Sequence, residues 1–289
     1  MRVPTLLVTG ARGQVGHEVE AAFTRAGWQV TAVGHRELDV TDGEAVAAAL
    51  HGLRPTAVVN AAAWTDVDAC EADPDRARRV NALGVRHLAA ASAAAGAFLC
   101  HLSTDHVFDG TQAAPYREDD APHPLSAYGR SKWEGEQEAG PGACVVRTSW
   151  VCGRHGDNAV TTILRLAGQP ERPLAFVDDQ RGCLTVDSDL AGTLLRLVTD
   201  RRAGLHHVTG QGPATWYEIA RRVLAAAGHD PDRVRPVATA ELRPPRAAPR
   251  PANGVLDNAV LRREGIPLLP PVEESLPALV AELRAAQRW

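Results

Sequence analysis

An α/β fold built on a doubly wound parallel sheet, followed by a smaller C-terminal domain, is what this 289-residue sequence predicts. Three observations carry the prediction. Short β-branched or apolar runs alternate with longer Ala-rich stretches of helical character, which implies βαβ units and a parallel sheet. The runs themselves, such as Leu6-Leu7-Val8, are almost continuously apolar, as strands buried on both faces must be. After Arg147 the alternation loosens, which marks a change of architecture.

In order, the strands are expected over 5–9, 29–33, 56–59, 98–103 and 144–147, with helices over about 14–26, 42–51, 74–95 and 127–139 between them. Beyond Arg147 come a helix near 158–168, a strand at 174–177, a helix at 187–199, a strand at 205–208 and a helix at 216–228. The Pro- and Arg-rich segment 242–251 reads as an extended loop, because each proline fixes φ and disfavours helix in the residue before it. A last helix, 272–288, closes the chain. The length lies between that of one large α/β domain and that of two smaller ones. We expect 1–150 to form a first domain, with segments near 173–208 partly rejoining it, and 151–289 to form most of a second.

A net charge of -4 with 23% charged residues gives no broad electrostatic reason to expect nucleic acid or a membrane surface as partner. Cys70, Cys100, Cys144, Cys152 and Cys183 are odd in number and lack a CxxC pair, which argues against a disulfide framework and against zinc. No apolar run approaches the ~18 residues of a membrane span, and the N-terminus has no charged leader, so a cytoplasmic location with reduced thiols is expected. The histidines show no HxxxH or HExxH spacing, and His206 and His207, adjacent on a strand, should face opposite ways, so no metal is expected.

Directly after the first strand stands Thr9-Gly10-Ala11-Arg12-Gly13-Gln14-Val15-Gly16, with helix following. Glycines at 10, 13 and 16 let the backbone turn sharply and approach a pyrophosphate, which the free N–H groups and dipole of the helix start attract. With Rossmann-type context on both sides, Gly10, Arg12, Gly13, Gln14, Val15 and Gly16 are candidate dinucleotide-binding residues. The second strand ends at Val33-Gly34-His35-Arg36, with no carboxylate for adenosine ribose hydroxyls. Arg36 is placed to pair with a 2′-phosphate and argues for NADPH, although a solvated loop arginine reads the same and NADH stays possible.

Lys132 is the only lysine in the chain, and it follows Tyr128 by four residues in Tyr128-Gly129-Arg130-Ser131-Lys132. Everywhere else mobile basic charge is carried by arginine, so an ammonium retained here points to chemistry a guanidinium cannot do. On a helix the two side chains project from one face. The ammonium should lower the phenol pKa and make Tyr128 a competent acid or base. Thr104, at the end of the fourth strand, is the third catalytic candidate, since such sheets hold ligands outside the carboxyl ends of their strands.

Six further segments narrow the reading. They are Asn60-Ala61-Ala62-Ala63-Trp64-Thr65-Asp66-Val67-Asp68, Ser103-Thr104-Asp105-His106-Val107-Phe108-Asp109-Gly110, Arg147-Thr148-Ser149-Trp150-Val151, Asp179-Gln180-Arg181-Gly182, Thr215-Trp216-Tyr217-Glu218 and Arg250-Pro251-Ala252-Asn253. With the glycine turn and the Tyr128/Lys132 pair, they resemble the dTDP-4-dehydrorhamnose reductase family, within the extended short-chain dehydrogenase/reductases, over nearly the whole chain. The resemblance implies a Rossmann-type NADP(H)-binding domain and a smaller C-terminal substrate-binding domain. It implies hydride transfer from NADPH to the C4 ketone of a dTDP-4-keto-6-deoxyhexose, giving dTDP-L-rhamnose, by a monomer or homodimer.

By position, Tyr128 would protonate the C4 oxygen and Lys132 would hold the nicotinamide ribose. Asp39 and Val40 would lie beside the adenine, and Ala61, Ala62, Ala63, Thr65 and Ser103 would line the cofactor. Thr104, Asp105 and His106 would hold the sugar, with Trp150 packed on its apolar face. Asn158 and Gln180 would lie on the nucleotide side of the substrate. Trp150 and Trp216 also read as ordinary core aromatics. Some relatives bind magnesium through an acidic cluster, but Gln14 and His17 give no reason to expect it here.

Three departures from the family pattern, His106 and Cys152 where tyrosine is usual and Leu184 where proline is usual, are expected near the sugar pocket. They suggest the same chemistry on a related 4-keto sugar, such as a streptose-type precursor. Other readings are a non-catalytic NADP-binding regulatory subunit and an epimerase or dehydratase with tightly held NAD.

Overall fold

The computed structural model describes residues 3–169 and 171–286. Six parallel strands form its central sheet: β1 (Thr5–Thr9), β2 (Gln29–Val33), β3 (Ala57–Asn60), β4 (Phe98–Thr104), β5 (Cys144–Thr148) and β10 (Gly204–His207). Their order is β10-β5-β4-β3-β1-β2, so the winding reverses between β1 and β3, where a sheet of this kind opens a crevice at its carboxyl edge.

Alternate strand residues feed two apolar layers. Leu6, Val8, Val59 and Cys100 face α1 (Gln14–Arg25) and α8 (Asp187–Thr199), with Phe23, Leu190 and Leu194 buried between. Leu7, Val58, Leu99 and Val145 face the other helices, α2 (Gly43–Leu53), α5 (Gly84–Ala95) and α6 (Ala127–Ala139). Burying both faces is what turned these strands into continuous apolar runs.

The helix expected over 74–95 is interrupted. After α3 (Val67–Ala72) and α4 (Pro74–Arg78) the backbone widens into a π-turn at Arg79–Leu83 before α5 begins. The cause is Asn81, whose amide faces inward, accepting from the Trp64 N–H and donating to the Trp64 carbonyl and the Ser131 hydroxyl. Such π-turns cluster at functional sites.

Beyond Thr148 the chain alternates between two bodies. The short strands β6 (Val151–Cys152) and β9 (Thr185–Val186) pair with each other, and α7 (Ala159–Ala167) lies between them in sequence. The strand β7 (Leu174–Val177) does not enter the large sheet. It pairs in parallel with β12 (Val234–Val237), which the sequence reading left out, while β8 (Arg181–Gly182) pairs with β11 (Ala214–Thr215). Of the 173–208 region, α8 and β10 are the parts that rejoin the first body. On β10, His206 lies beside Cys144 while His207 lies beside Arg147 and the Asp257 carbonyl.

The second body has its own core, in which Ile163 and Leu164 of α7 meet Ile219 and Val223 of α9 (Trp216–Ala226) and Leu276 and Val280 of α11 (Val272–Ala285). A short α10 (Ala259–Arg263) returns Leu261 to the large sheet. The predicted last helix therefore ends at Ala285, and positions 287–288 of that prediction lie outside the described residues. Among the described residues no helix is long and apolar enough to cross a membrane.

Candidate active site

The glycine turn forms as its sequence demands. Gly10 has φ +70°, and a Cβ there would lie 2.5 Å from the Ala62 nitrogen, while a Cβ on Gly16 would lie 2.3 Å from the Gly10 carbonyl oxygen. α1 starts at Gln14 without a side-chain cap, so its first N–H groups stay available to an anion. They open into a crevice of about 600 Å³ whose walls include Arg12, Gly13, Gln14, Val15 and Gly16. Ala61, Ala63, Thr65, Ser103, Thr104, Tyr128 and Lys132 line the same crevice. The donor set and the glycine cradle fit a dinucleotide.

A second chamber, about 430 Å³, adjoins it. Val67, Asp105, His106 and Trp150 belong to the walls of both. The chamber is completed by Phe176 and Val177 of β7, Gln180, Trp216, and the arginines Arg181, Arg246 and Arg250. Apolar surface with several guanidinium groups suits a nucleoside carrying phosphate.

Tyr128 and Lys132 are both buried on α6, started by Ser126, whose hydroxyl caps the Gly129 N–H. Lys132 Nζ donates to the Leu102 carbonyl at 2.6 Å, and His101 Nε2 lies 3.5 Å away. Burial pushes the Lys132 pKa down to about 8, against the pull of Glu136. The expectation that Lys132 lowers the phenol pKa is corrected: burial drives Tyr128 well above the ordinary tyrosine value, a Thr104 hydrogen bond opposes the rise, and the nearby Asp105 carboxylate adds to it. Desolvation penalises phenolate more than the neighbouring groups favour it. Tyr128 is therefore a protonated donor throughout the neutral range.

Thr104 Oγ1 donates to Asp105 Oδ1 at 3.0 Å and accepts from the His106 N–H. Burial raises the Asp105 pKa to about 7 and lowers that of His106 to about 4. His106 borders the chamber and meets the Tyr128 ring edge-on at 5.4 Å, while its Nδ1 is buried without a hydrogen-bond partner. Trp150 adopts φ +46°, rare for a bulky residue, and lies flat on Trp216 at 3.9 Å. The backbone of Gly182 packs close against the indole, where a Cβ would come within 2.5 Å of it. Both tryptophans thus border the chamber as well as closing the core.

Several expected residues are placed otherwise. The Ser103 hydroxyl turns away from the crevice and donates to Glu136, itself held by two bonds from the buried Arg147. The Ala62 N–H is taken by Asn60 Oδ1, and only its neighbours Ala61 and Ala63 line the crevice. Arg36 is exposed, and with Asp39 and Val40 it lies beyond the crevice walls; Asp39 instead accepts both polar hydrogens of Thr41, and Val40 is buried against Gly84. Asn158 borders the crevice, not the chamber: it caps α7 and donates to Gln14 Oε1 at 3.0 Å. Gln180 does border the chamber, tethered to Thr239. Of the three departures from the family pattern only His106 lines the chamber, since Cys152 and Leu184 are core residues.

Sequence reasoning missed four things. Glu37 accepts from the Gly34 N–H and pairs with Arg12 at 3.2 Å, so a carboxylate does stand at the end of β2. Arg250 makes a bidentate pair with Asp68, which holds that carboxyl well below its usual range. Arg181 and Arg246 were hidden by the abundance of arginine in the chain. Asn81 was hidden because nothing in a helical run announces a π-turn.

The sequence profile described as the RmlD substrate binding domain matches residues 4–285. A dTDP-4-dehydrorhamnose reductase of Streptomyces griseus is 42% identical over 289 residues, covering 96% of this chain and 94% of its own. A dTDP-4-keto-6-deoxy-D-glucose reductase of Streptomyces niveus is 42% identical over 247 residues, covering 82% of this chain and 85% of its own. The crystal structure of dTDP-4-dehydrorhamnose reductase from Bacillus anthracis in complex with NADP superposes with a TM-score of 0.93 at 33% identity, covering 97% of this chain and 100% of that one. A profile matched over almost the whole length, and relatives of this identity and coverage, establish that the chain belongs to the dTDP-4-dehydrorhamnose reductase family.

Proposed function

We propose that the protein is an NADPH-dependent reductase of the C4 ketone of a dTDP-4-keto-6-deoxyhexose, forming dTDP-L-rhamnose. The observation that carries this reading is the junction of two cavities. A glycine-cradled crevice and an arginine-lined chamber share the wall of Asp105, His106 and Trp150, with Tyr128 and Thr104 at the crevice side of it. NADP and a sugar nucleotide named for relatives fill spaces of that chemistry.

Gly10, Gly13 and Gly16 with the start of α1 hold the pyrophosphate, and Arg12, which lines the crevice, takes the 2′-phosphate. Bound NADPH supplies the hydride. Tyr128 gives its proton to the oxygen that was the ketone, Thr104 holds that oxygen in place, and Lys132 grips the nicotinamide ribose. Arg181, Arg246, Arg250 and Gln180 hold the nucleotide diphosphate, and Trp150 lies on the sugar. Elements after Thr148, α8, β10 and α10 excepted, form the substrate-binding part. The reaction is assigned to the cytoplasm, where its five buried free thiols stay reduced.

A specific observation favours a second reading in which the ketone belongs to a related 4-keto sugar: the imidazole of His106 borders the chamber where a phenol is usual, with its Nδ1 unpartnered. Purified protein should oxidise NADPH only when a dTDP-4-keto-6-deoxyhexose is added, and a panel of such sugars separates the two readings. Tyr128→Phe should reduce turnover at least 100-fold, within the range of general acid catalysis, while NADPH binding is kept. Full turnover by that variant would remove Tyr128 from its role.

A further inference from the structure

Below the crevice, three buried polar residues lie side by side across three strands. Thr9 of β1 is in register with Asn60 of β3, and Asn60 with His101 of β4. Two positions earlier on the same face, Leu7, Val58 and Leu99 form an apolar row in the same register. The polar row replaces it at the level of Lys132, where all three side chains are essentially inaccessible to solvent. Burying three polar groups is costly unless they serve one another.

The bonds run in one direction. Thr9 Oγ1 donates to Asn60 Oδ1 at 2.8 Å, and the backbone N–H of Ala62 donates to the same oxygen at 3.1 Å. A backbone N–H cannot turn around, so it fixes the carboxamide with Oδ1 towards Ala62 and Nδ2 towards His101. Asn60 Nδ2 lies 3.0 Å from His101 Nδ1, which must then be the bare, accepting nitrogen. The proton of the neutral ring is on Nε2, and Nε2 is the atom 3.5 Å from Lys132 Nζ. An N–H aimed at an ammonium is a donor facing a donor, whereas aimed at a free amine it finds a lone pair.

We propose that Thr9, Asn60 and His101 form a one-way hydrogen-bond row that presents a ring N–H to Lys132 and favours its unprotonated amine, His101 acting as a positioning residue that sets the base strength of the catalytic lysine. The proposal rests on Lys132 belonging to the reductase site. The row carries no proton itself. Its effect is that Lys132 exchanges a proton readily near neutrality while the Leu102 carbonyl holds the amine in place.

Other groups bear on Lys132 and are accounted for. Tyr128 and Glu136 lie on its own helix, and Glu136 is engaged by Arg147 of β5 and Ser103 of β4. Asp105 follows β4 at the crevice end. Glu71, Arg78 and Arg86, from α3, α4 and α5, pair with Arg130, Glu134 and Glu138 on the more exposed side of α6. Among the described residues, only His101 brings a ring nitrogen within reach of the amine.

The single lysine makes the test direct. Protein labelled with ¹³C-lysine gives one side-chain ε signal, whose pH titration reads Lys132 with or without turnover. The expected midpoint is at least ~1 pH unit below the ordinary lysine value. ¹H–¹⁵N spectra of the imidazoles, with the His101 signal identified as the one lost in His101→Gln, should show Nδ1 bare and Nε2 protonated. Asn60→Asp places an acceptor where the amide donated, so His101 should switch to the Nδ1–H form and the lysine midpoint should rise by ~1 unit or more. The limb of the kcat–pH profile that belongs to Lys132 should move with it.

A protonated Nδ1 in the unaltered protein, or an ordinary lysine titration there, overturns the proposal. So does a rise in Asn60→Asp without a change of tautomer, because added charge alone then explains it. Should that variant fail to fold, the imidazole spectrum of the unaltered protein decides. Because none of these signals needs substrate, loss of the proposed row is distinguishable from a wrong assignment of the reaction.

Discussion

Glu136→Gln is the perturbation whose outcome follows most directly from the geometry. The Arg147 side chain is 3% exposed and that of Glu136 5%, and two bonds of 2.8 and 2.6 Å join them. The guanidinium lies over the Phe108 ring at 5.0 Å, so the remaining surroundings offer little water. Removing one charge leaves the other buried with a neutral partner, which costs about 3–5 kcal/mol. At about 2–4 °C per kcal/mol for a domain of 150–250 residues, a chain of this size should melt about 10 °C lower.

The decisive assay is a double-mutant cycle read by circular dichroism. Glu136→Leu with Arg147→Met should recover most of the loss, because matched apolar groups leave no stranded charge, and the coupling should exceed about 2 kcal/mol. Should Glu136→Gln melt within about 3 °C of the parent, or the double variant be less stable than either single one, the argument from desolvation is wrong. A further consequence is a shift in a protonation equilibrium. Glu136 pulls the Lys132 pKa upward, so its neutralisation should move the lysine titration further down.

Three other outcomes are expected. Gly13→Ala brings a Cβ to 3.3 Å of the Gly10 oxygen, a tight contact that the turn meets by shifting, so NADPH affinity by fluorescence titration should fall about tenfold or more while the melting temperature falls less than for a Cβ at Gly10 or Gly16. Arg246→Ala removes a side chain that is 57% exposed and touches Asp68 only at 3.6 Å, so KM for the sugar nucleotide should rise about tenfold with kcat little changed in steady-state assays. Asp187 is buried with an unpartnered Oδ2, and desolvation, aided by Glu18, raises its pKa to about 7. A raised carboxyl favours folding while protonated, and that contribution is lost as pH climbs from about 4 through 7. Asp187→Asn should therefore raise the melting temperature at pH 8 and have much less effect at pH 4, and an equal gain at both would contradict the assignment.

The large parallel sheet was legible because strands buried on both faces leave continuous apolar runs, and the turn after β1 because Gly10 and Gly16 meet a steric demand that other residues cannot. That Tyr128, Lys132 and Thr104 meet in one crevice was legible for a similar reason, a spacing that only a helix and a strand end give meaning to. Legibility failed where the answer depended on partners distant in the chain. The strand at 174–177 is apolar enough for either sheet, and only its pairing with 234–237 settles which. Thr9, Asn60 and His101 are unremarkable until strand order sets them in one row. The chamber arginines were masked by composition, and Ser103 sat in a family motif while its hydroxyl served Glu136.

Trp150 stands in the partition between the two cavities, with Trp216 stacked on its ring and the backbone of Gly182 packed so close that no Cβ would fit. Any attempt to retool sugar preference by resizing this indole will therefore disturb the neighbouring compartment as well. Ala175, Phe176 and Leu242 border the chamber alone. They are among the positions at which a new substrate can be accommodated without retuning how the hydride donor is held.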